Sequence, residues 1–279
     1  MASRRRTIVG SPLTPTLLKE LDVIGELPHP PNAFTADGNW LHAYRVCICH
    51  GYRETGNENV GFLRIERAPD ESGRTFTLKV DQHIVQAEGM LNTIHAEISC
   101  RNDRLGSPTK WHLSSRFFGP DGEPDPGLDV EEKVRVKGNA IEVTTNGRTF
   151  KRQGSSRLAA DWCLFEAVQR LPFDKESDLA FDVLEGLSIV RTGHRLSYRG
   201  GVTLAPEREV RLHGFHRLGH GALPYEYWLD DRHRLVIAVT LSRAYILDEQ
   251  AEHKTALALG RERSNFKRQR RAYERGKTK

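Results

Sequence analysis

Short alternations of apolar and polar residues, separated by turns that contain glycine, constrain the fold of this chain more than any other feature of its sequence. Residues 133–150 contain two such segments on either side of Gly138-Asn139, and a third follows Asn146-Gly147. An Asn-Gly pair between alternating segments favours a β-hairpin, because both positions accept positive φ. The sequence therefore predicts a three-stranded antiparallel meander here.

Similar segments recur from Trp40 to Ile246 and predict about a dozen strands. A single amphipathic segment over residues 156–171 interrupts them and predicts a helix whose apolar side packs on the sheet. Strands and helices do not alternate, which excludes Rossmann and TIM-barrel architectures. We expect a mainly β fold of the α+β class, with a large curved antiparallel sheet or half-barrel wrapped around one central helix and short N- and C-terminal helices.

The sequence divides into three parts by composition. Residues 1–39 predict an N-terminal arm with a short helix from about Pro15 to Ile24, which is followed by a proline-rich connector. Residues 40–248 predict a single antiparallel β domain that contains the central helix. Residues 249–279 predict a basic C-terminal helix or tail.

The positive charge of the chain lies at its ends. The formal net charge of the 279 residues is +5, but residues 261–279 contain nine basic and two acidic residues, and Arg4-Arg5-Arg6 adds three more positive charges. Residues 7–260 therefore carry a net charge of −5. The tail predicts either a solvated helix end or a docking segment for an acidic partner, whereas the acidic body makes nucleic acid an unfavourable partner.

Neither a membrane span nor an ordinary secretion signal is evident in the sequence. No run of 18 or more apolar residues exists, so we expect no transmembrane helix. The chain begins with a charged segment like that of a signal peptide, but residues 11–15 interrupt the apolar stretch that should follow. We therefore expect no working signal peptide in this sequence, and the cellular location is left open.

Four cysteines, at positions 47, 49, 100 and 163, bear on metal binding and redox state. Cys47 and Cys49 are two residues apart, and no second pair with the spacing of a structural zinc site accompanies them. We expect free, mostly buried thiols, and a disulfide between distant cysteines stays open for the case that the protein is exported. The sequence predicts no metal centre and no cofactor.

The late hairpin pattern Tyr227-Trp228-Leu229-Asp230-Asp231-Arg232-His233-Arg234-Leu235 carries a family resemblance. Together with the long meander and the central helix, it resembles the half-barrels of the periplasmic lipoprotein carriers, the LolA-like proteins. The resemblance covers residues 40–248 as a pattern. It implies a curved meander whose concave side is plugged by the helix.

The first functional hypothesis is a non-enzymatic binding or carrier protein that holds an apolar or amphiphilic small molecule on the concave face. Residues 234–246 read as one strand that is apolar on both faces, which is typical of a central strand or of one that lines a cavity. The candidate ligand-binding residues are aromatic or large apolar residues near the helix and this strand, namely Trp162, Phe165, Tyr227, Trp228 and Ile237.

The alternative hypothesis is a lyase or hydrolase that acts on a saccharide. Its candidate catalytic residues are the histidines and neighbouring proton-transfer groups His213, His216, His220, Tyr225 and Glu226. In a regular strand the first two histidines point to opposite faces, because their separation is odd. The hypothesis therefore requires a bulge that brings these side chains together.

A further set of polar residues lies on neighbouring predicted strands. His83, His95, Glu97 and His112 could meet across one face of the sheet, and His95 and Glu97 share a face by parity. The cross-strand register cannot be read from the sequence. We therefore interpret these four residues as satisfied polar side chains.

Overall fold

A computed structural model describes residues 34–48, 58–187, 189–205, 210–240 and 243–277. Within these residues, fifteen strands form a single sheet. The first part of the chain contributes β1 (Trp40–Ile48), β2 (Glu58–Pro69), β3 (Thr75–Val85), β4 (Leu91–Arg101), β5 (Pro108–Phe118), β6 (Val130–Lys137), β7 (Ala140–Thr145) and β8 (Arg148–Gln153). The second part contributes β9 (Leu158–Ala160), β10 (Leu179–Glu185), β11 (Ile189–Ala205), β12 (Val210–Leu218), β13 (Tyr225–Leu229), β14 (Leu235–Val239) and β15 (Arg243–Leu247).

The order of the strands forces the sheet to curl. Strand β1 pairs with β15 in the middle of the sheet, and β8 and β9 are its two edges. Only residues 154–157 connect these edges. Five residue steps span at most about 18 Å, whereas fifteen flat strands would place the edges roughly 67 Å apart. The sheet therefore bends round until its edges approach each other, and it remains open because β8 and β9 do not pair.

The expected fold class is confirmed: a large, curved, mostly antiparallel sheet with few helices. The predicted Asn-Gly hairpin is also present, with β7 paired to β8 across Asn146-Gly147. Asn146 and Gly147 both have positive φ, as this turn requires. The predicted N-terminal helix lies outside the described residues, as does Cys49.

The central helix is shorter than predicted. Helix α1 spans Asp161–Ala167 and continues as a 3-10 turn over Val168–Arg170, instead of covering residues 156–171. The preceding Leu158–Ala160 forms β9, which pairs with β10 as the one parallel pair among the described strands. A parallel pair needs a crossover connection, and α1 lies in that connection. Hydrogen bonding to β10 thus removes these three residues from the helix.

The single strand expected over residues 234–246 is a hairpin. Strands β14 and β15 pair antiparallel, and the backbone N–H of Thr240 donates to the carbonyl of Arg243 at 2.8 Å to close the turn. A strand apolar on both faces and two antiparallel strands with apolar residues give similar local sequences. The turn changes which face of the sheet each later residue occupies, so that Tyr245 lies opposite Ala238 and Ile246 lies opposite Ile237.

The inner face of the sheet and α1 form the core. Fully buried inner-face residues such as Tyr44, Leu63, Ile65, Leu78 and Ile98 surround the helix. A buried charge cluster joins the helix to β2: Arg67 Nε donates to Glu166 Oε1 at 2.8 Å, and both side chains are fully buried. Burial raises the pKa of Glu166, and hydrogen bonds from Arg170 and Arg67 oppose that shift. The helix is therefore attached to the sheet by an ion pair as well as by apolar contacts.

Helix α2 (Ala251–Lys277) packs on the outer face of β1, β2 and β3. Ala251, Thr255 and Ala258 are buried at helical spacing, so this side of the first half faces the sheet. Farther along, Arg263 Nε donates to the carbonyl of Gly89 at 3.2 Å. No helix in the described part of the chain combines the length and apolar character needed to cross a membrane.

The three described cysteines are buried and form no disulfide with one another. Cys100 on β4 and Cys163 on α1 place their sulfur atoms 3.6 Å apart. Burial raises the pKa of the Cys100 thiol, and the hydrogen bond with Cys163 adds to that shift. These two thiols are therefore a packing contact between the helix and the sheet.

The substitution Glu166→Gln should destabilise the protein by about 3–5 kcal/mol, because it leaves the buried Arg67 guanidinium without a balancing charge. The measurement is urea unfolding followed by circular dichroism. The control is Glu66→Gln, which removes one partner of an exposed pair with Lys79 and should cost less than about 1 kcal/mol. An equal decrease in the free energy of unfolding in the two variants would contradict this account of the buried pair.

Candidate ligand-binding site

A cavity of about 360 Å³ lies between α1 and the inner face of the curved sheet. Its lining comes from both halves of the sheet and from the helix. The lining residues are Gln82, Ile94, Leu113, Asp161, Trp162, Phe165, Gly186, Leu187, Tyr225, Thr240, Arg243 and Tyr245. The cavity exists because the short helix fills only part of the space that the curled sheet encloses.

Phe165 is the main aromatic contact between α1 and the strands. Its ring makes edge-on contacts with Tyr44, Tyr225, Tyr227 and Tyr245 at centroid distances of 5.5, 6.5, 6.0 and 5.4 Å. Aromatic rings favour such perpendicular arrangements. These contacts fix the orientation of the helix, so that Phe165 and its neighbour Trp162 both line the cavity.

An ion pair secures the start of α1. Arg217 on β12 donates to Asp161 Oδ1 at 2.6 Å, and the backbone N–H of Gly186 donates to Asp161 Oδ2 at 3.0 Å. The Arg217 guanidinium also lies 4.8 Å from the centre of the Tyr225 ring, a cation–π contact. Asp161 is thus fully engaged with protein groups, and its charge is balanced.

Arg243 gives the cavity a positive charge that no described carboxylate balances through an ion pair. Its side chain is half-buried and interacts with Tyr245. Burial raises the pKa of Tyr245, and the charge of Arg243 opposes that shift. Burial also raises the pKa of Tyr225 well above its usual value. Both phenols are therefore neutral hydrogen-bonding groups, and Arg243 is available to an anion.

The predicted ligand-binding residues divide between the two faces of the sheet. Trp162 and Phe165 line the cavity, and Tyr227 contacts Phe165 from β13. Trp228 and Ile237 are cross-strand partners on the other face, where Trp228 packs over Gly214. A Cβ at Gly214 would lie 2.8 Å from the Trp228 ring, so this position requires glycine. The structure therefore brings three of the five residues together at α1.

The predicted catalytic residues are spread over both faces. Tyr225 lines the cavity, whereas its neighbour Glu226 pairs with His216 on the opposite face. His213 is held by other groups, because Tyr198 Oη lies 2.9 Å from Nδ1 and Asp231 Oδ1 lies 2.8 Å from Nε2. His220 is exposed in the turn after β12. These five side chains do not converge on one site.

Glu226 and His216 form a buried polar pair outside the cavity. His216 Nδ1 lies 3.3 Å from Glu226 Oε1, and within the described residues neither ring nitrogen of His216 has a hydrogen-bond partner. Burial raises the pKa of Glu226 to about 7, with Arg199 opposing the shift. Burial also lowers the pKa of His216. Both groups thus favour their neutral forms.

Sequence reasoning missed several cavity residues, above all Asp161, Arg243 and Tyr245. The sequence predicts one long helix over residues 156–171, inside which Asp161 carries no special signal. It predicts one continuous strand over residues 234–246, in which Tyr245 shares a face with Ile237. The signal for the turn between β14 and β15 is the group of polar residues Thr240, Ser242 and Arg243, which interrupts the apolar run.

No known protein family and no curated protein matches this chain. Among solved structures, the chain is similar to a β-barrel-like protein of a domain of unknown function, DUF1849, from Brucella abortus. The TM-score is 0.50 at 9% sequence identity, and the match covers 75% of this chain and 95% of that chain. This likeness supports a β-barrel-like fold and does not specifically support the lipoprotein-carrier family.

The raised pKa of Glu226 predicts a pH-dependent contribution to stability. The unfolded chain loses the carboxyl proton near pH 4.5 and the folded protein near pH 7, so this residue makes the fold less stable as the pH rises between those values. The total change is roughly 3 kcal/mol. In Glu226→Gln this contribution is absent, so the variant should gain stability relative to the wild type across the same interval.

Urea unfolding of both proteins at a series of pH values measures this difference. Glu142→Gln, which removes a half-exposed carboxylate on β7, is the control for losing one carboxylate. If the difference between the wild type and Glu226→Gln did not change with pH, the proposed titration of Glu226 would be wrong.

Proposed function

We propose that this protein binds an amphiphilic small molecule with an anionic head group, without catalysing a reaction on it. The observation that carries the proposal is the cavity between α1 and the inner face of the sheet. Its volume of about 360 Å³ is in the lower part of the range of small-molecule sites, which is about 300–1,000 Å³.

The lining favours a ligand with two chemically different ends. Trp162, Phe165, Ile94 and Leu113 offer apolar surface for a hydrocarbon chain or ring. Arg243 offers a half-buried positive charge, and a guanidinium binds carboxylates and phosphates through paired hydrogen bonds. The shared chemistry of the ligand is therefore an apolar body with a carboxylate or phosphate at one end.

Two further considerations favour binding over catalysis. The resemblance of residues 40–248 to the lipoprotein carriers, whose concave side is plugged by a helix, agrees with a ligand held beside α1. The alternative of a saccharide-active lyase or hydrolase has less support, because His216 and Glu226 lie on the opposite face from Tyr225. His213 and His220 do not line the cavity either. A proton-transfer site needs its groups within hydrogen-bond reach of one substrate.

The direct test is binding of a dansyl-labelled medium-chain fatty acid, followed by its fluorescence. Leu113→Trp should abolish binding, because the indole fills the cavity. The matched control is Leu41→Trp, which adds the same indole at an exposed position on the outer face of β1. Equal binding by the two variants would refute the proposed site, provided that circular dichroism shows both to be folded.

A second variant tests the head group. Arg243→Gln should weaken binding of the fatty acid by about tenfold, because it removes a charged hydrogen bond. The affinity for a fatty alcohol of the same length, measured by its competition with the labelled fatty acid, should be nearly the same in this variant as in the wild type. Similar losses for the acid and the alcohol would show that Arg243 does not bind the head group, while leaving the apolar part of the site intact.

The exposed half of α2 supports a separate proposal, that it docks on an acidic polypeptide. Lys267, Arg268, Arg270 and Arg271 are all exposed, and Arg270 pairs with Glu274 at 3.1 Å. Such a positive segment attracts an acidic partner most strongly at low salt.

Replacing these four residues by glutamine should abolish binding of a polyglutamate peptide in a low-salt biosensor assay, while binding of the fatty acid in the cavity stays unchanged. Unchanged peptide binding would contradict the docking proposal, and so would preference of the wild type for RNA over the peptide.

A further inference from the structure

A compact cluster of Asp81, His83 and His95 lies on the outer face of β3 and β4. Asp81 and His95 are direct cross-strand partners, and His83 follows Asp81 by two residues on the same face of β3. Such neighbours on paired strands approach closely enough to interact. The structure therefore brings together His83 and His95, two of the four polar residues on neighbouring predicted strands, and it adds the carboxylate of Asp81.

The other two residues of that set are engaged elsewhere. Glu97 is the cross-strand partner of His112, and His112 Nε2 lies 2.9 Å from Glu131 Oε2 on β6. His112 is thus a surface histidine paired with a carboxylate, much like His95 in exposure, at 54% against 57%. It provides a natural comparison for the Asp81 cluster, because it lies beside carboxylates but has no histidine as a cross-strand partner on either side.

The spacing of the ligand atoms fits a metal ion. Asp81 Oδ1 lies 3.2 Å from His83 Nε2 and 3.1 Å from His95 Nδ1, and the three atoms are all within 4.8 Å of one another. Ligands bound at about 2.0–2.2 Å to one ion lie roughly 3.0–3.5 Å apart at octahedral or tetrahedral angles. Two of the three separations therefore already have the length that a shared ion requires.

The surroundings orient the carboxylate toward the histidines. Arg64 donates to Asp81 Oδ2 at 2.9 Å, which leaves Oδ1 for the site. This Oδ1 is buried and has no hydrogen-bond partner within the described residues. Asp81 therefore presents Oδ1 to the two imidazole rings, while Arg64 holds Oδ2.

The two histidines differ in their surroundings, and the side of the cluster at His95 is open to solvent. The ring of His83 packs against Phe62 with a centroid distance of 4.5 Å, which fixes its position. His95 is more than half exposed, so an ion and its water ligands can reach the cluster from solvent. Three protein ligands with a fourth position left for water are a known arrangement for zinc.

We propose that Asp81, His83 and His95 bind a divalent first-row transition-metal ion such as Zn²⁺ or Ni²⁺. Imidazole nitrogens favour these ions, whereas Mg²⁺ prefers a shell of oxygen ligands. The neighbouring charge of Arg64 reduces the attraction for a cation, and Glu252, 3.0 Å from Arg64, offsets part of that effect. The site is independent of the cavity, because Gln82, between Asp81 and His83, faces the opposite side of the sheet.

The test is calorimetric titration of the full, untagged chain with Zn²⁺, Ni²⁺ and Mg²⁺ separately. The wild type should bind one Zn²⁺ and one Ni²⁺ at this site and no Mg²⁺. Loss of a group that only hydrogen-bonds to a metal ligand weakens metal binding by about 10- to 100-fold. His95→Gln removes a ligand itself, so it should weaken binding of Zn²⁺ and Ni²⁺ by at least about tenfold. Asp81→Asn should do the same, and His112→Gln should bind like the wild type.

Two further readouts identify the ligands. Acidification should release the ion, because a protonated imidazole cannot bind a metal. With Co²⁺ the protein should show weak visible bands without the intense near-ultraviolet band of a thiolate ligand, which would indicate a cysteine site instead. The proposal is overturned by a thiolate band, by equal binding in His95→Gln and His112→Gln, or by the absence of Zn²⁺ binding to the folded wild type.

Discussion

Four residues between β8 and β9 impose the constraint on which the rest of the structure depends. These residues join the two edges of a fifteen-stranded sheet, which would be far apart if the sheet were flat. The sheet must curl, and its inner face then encloses a volume that apolar side chains fill by excluding water. Helix α1 occupies part of this volume, and the remainder is the cavity beside Trp162 and Phe165.

Ion pairs attach the two ends of α1 to different halves of the sheet. Asp161 at its start pairs with Arg217 on β12, and Glu166 near its end pairs with Arg67 on β2. Buried charges are costly to remove from water, so they stabilise only the arrangement in which each has its partner. The two pairs therefore hold the helix in one orientation across the barrel-like sheet.

Side chains alternate between the two faces of a strand, so the same strands contribute residues to both faces of the sheet. On β3, Gln82 lines the cavity while Asp81 and His83 face outward toward His95. On β13, Tyr225 lines the cavity while Glu226 lies with His216 on the other side. Adjacent side chains in a strand point in opposite directions. A substitution at one residue can therefore alter the cavity, and a substitution at the next residue can alter the outer face of the sheet.

The sequence by itself determined the mainly β fold, the hairpin at Asn146-Gly147 and the placement of Tyr225 and Glu226 on opposite faces, because alternation and turn geometry are local properties of the chain. Only the tertiary structure decided that Leu158–Ala160 pairs with β10, that the turn before Arg243 puts Tyr245 inside and leaves Ile237 outside, and that Asp81 lies opposite His95. Each of these depends on the register between strands that are distant in sequence or separated by a turn. That register is set by the packing of the whole sheet and leaves no signal in any short segment.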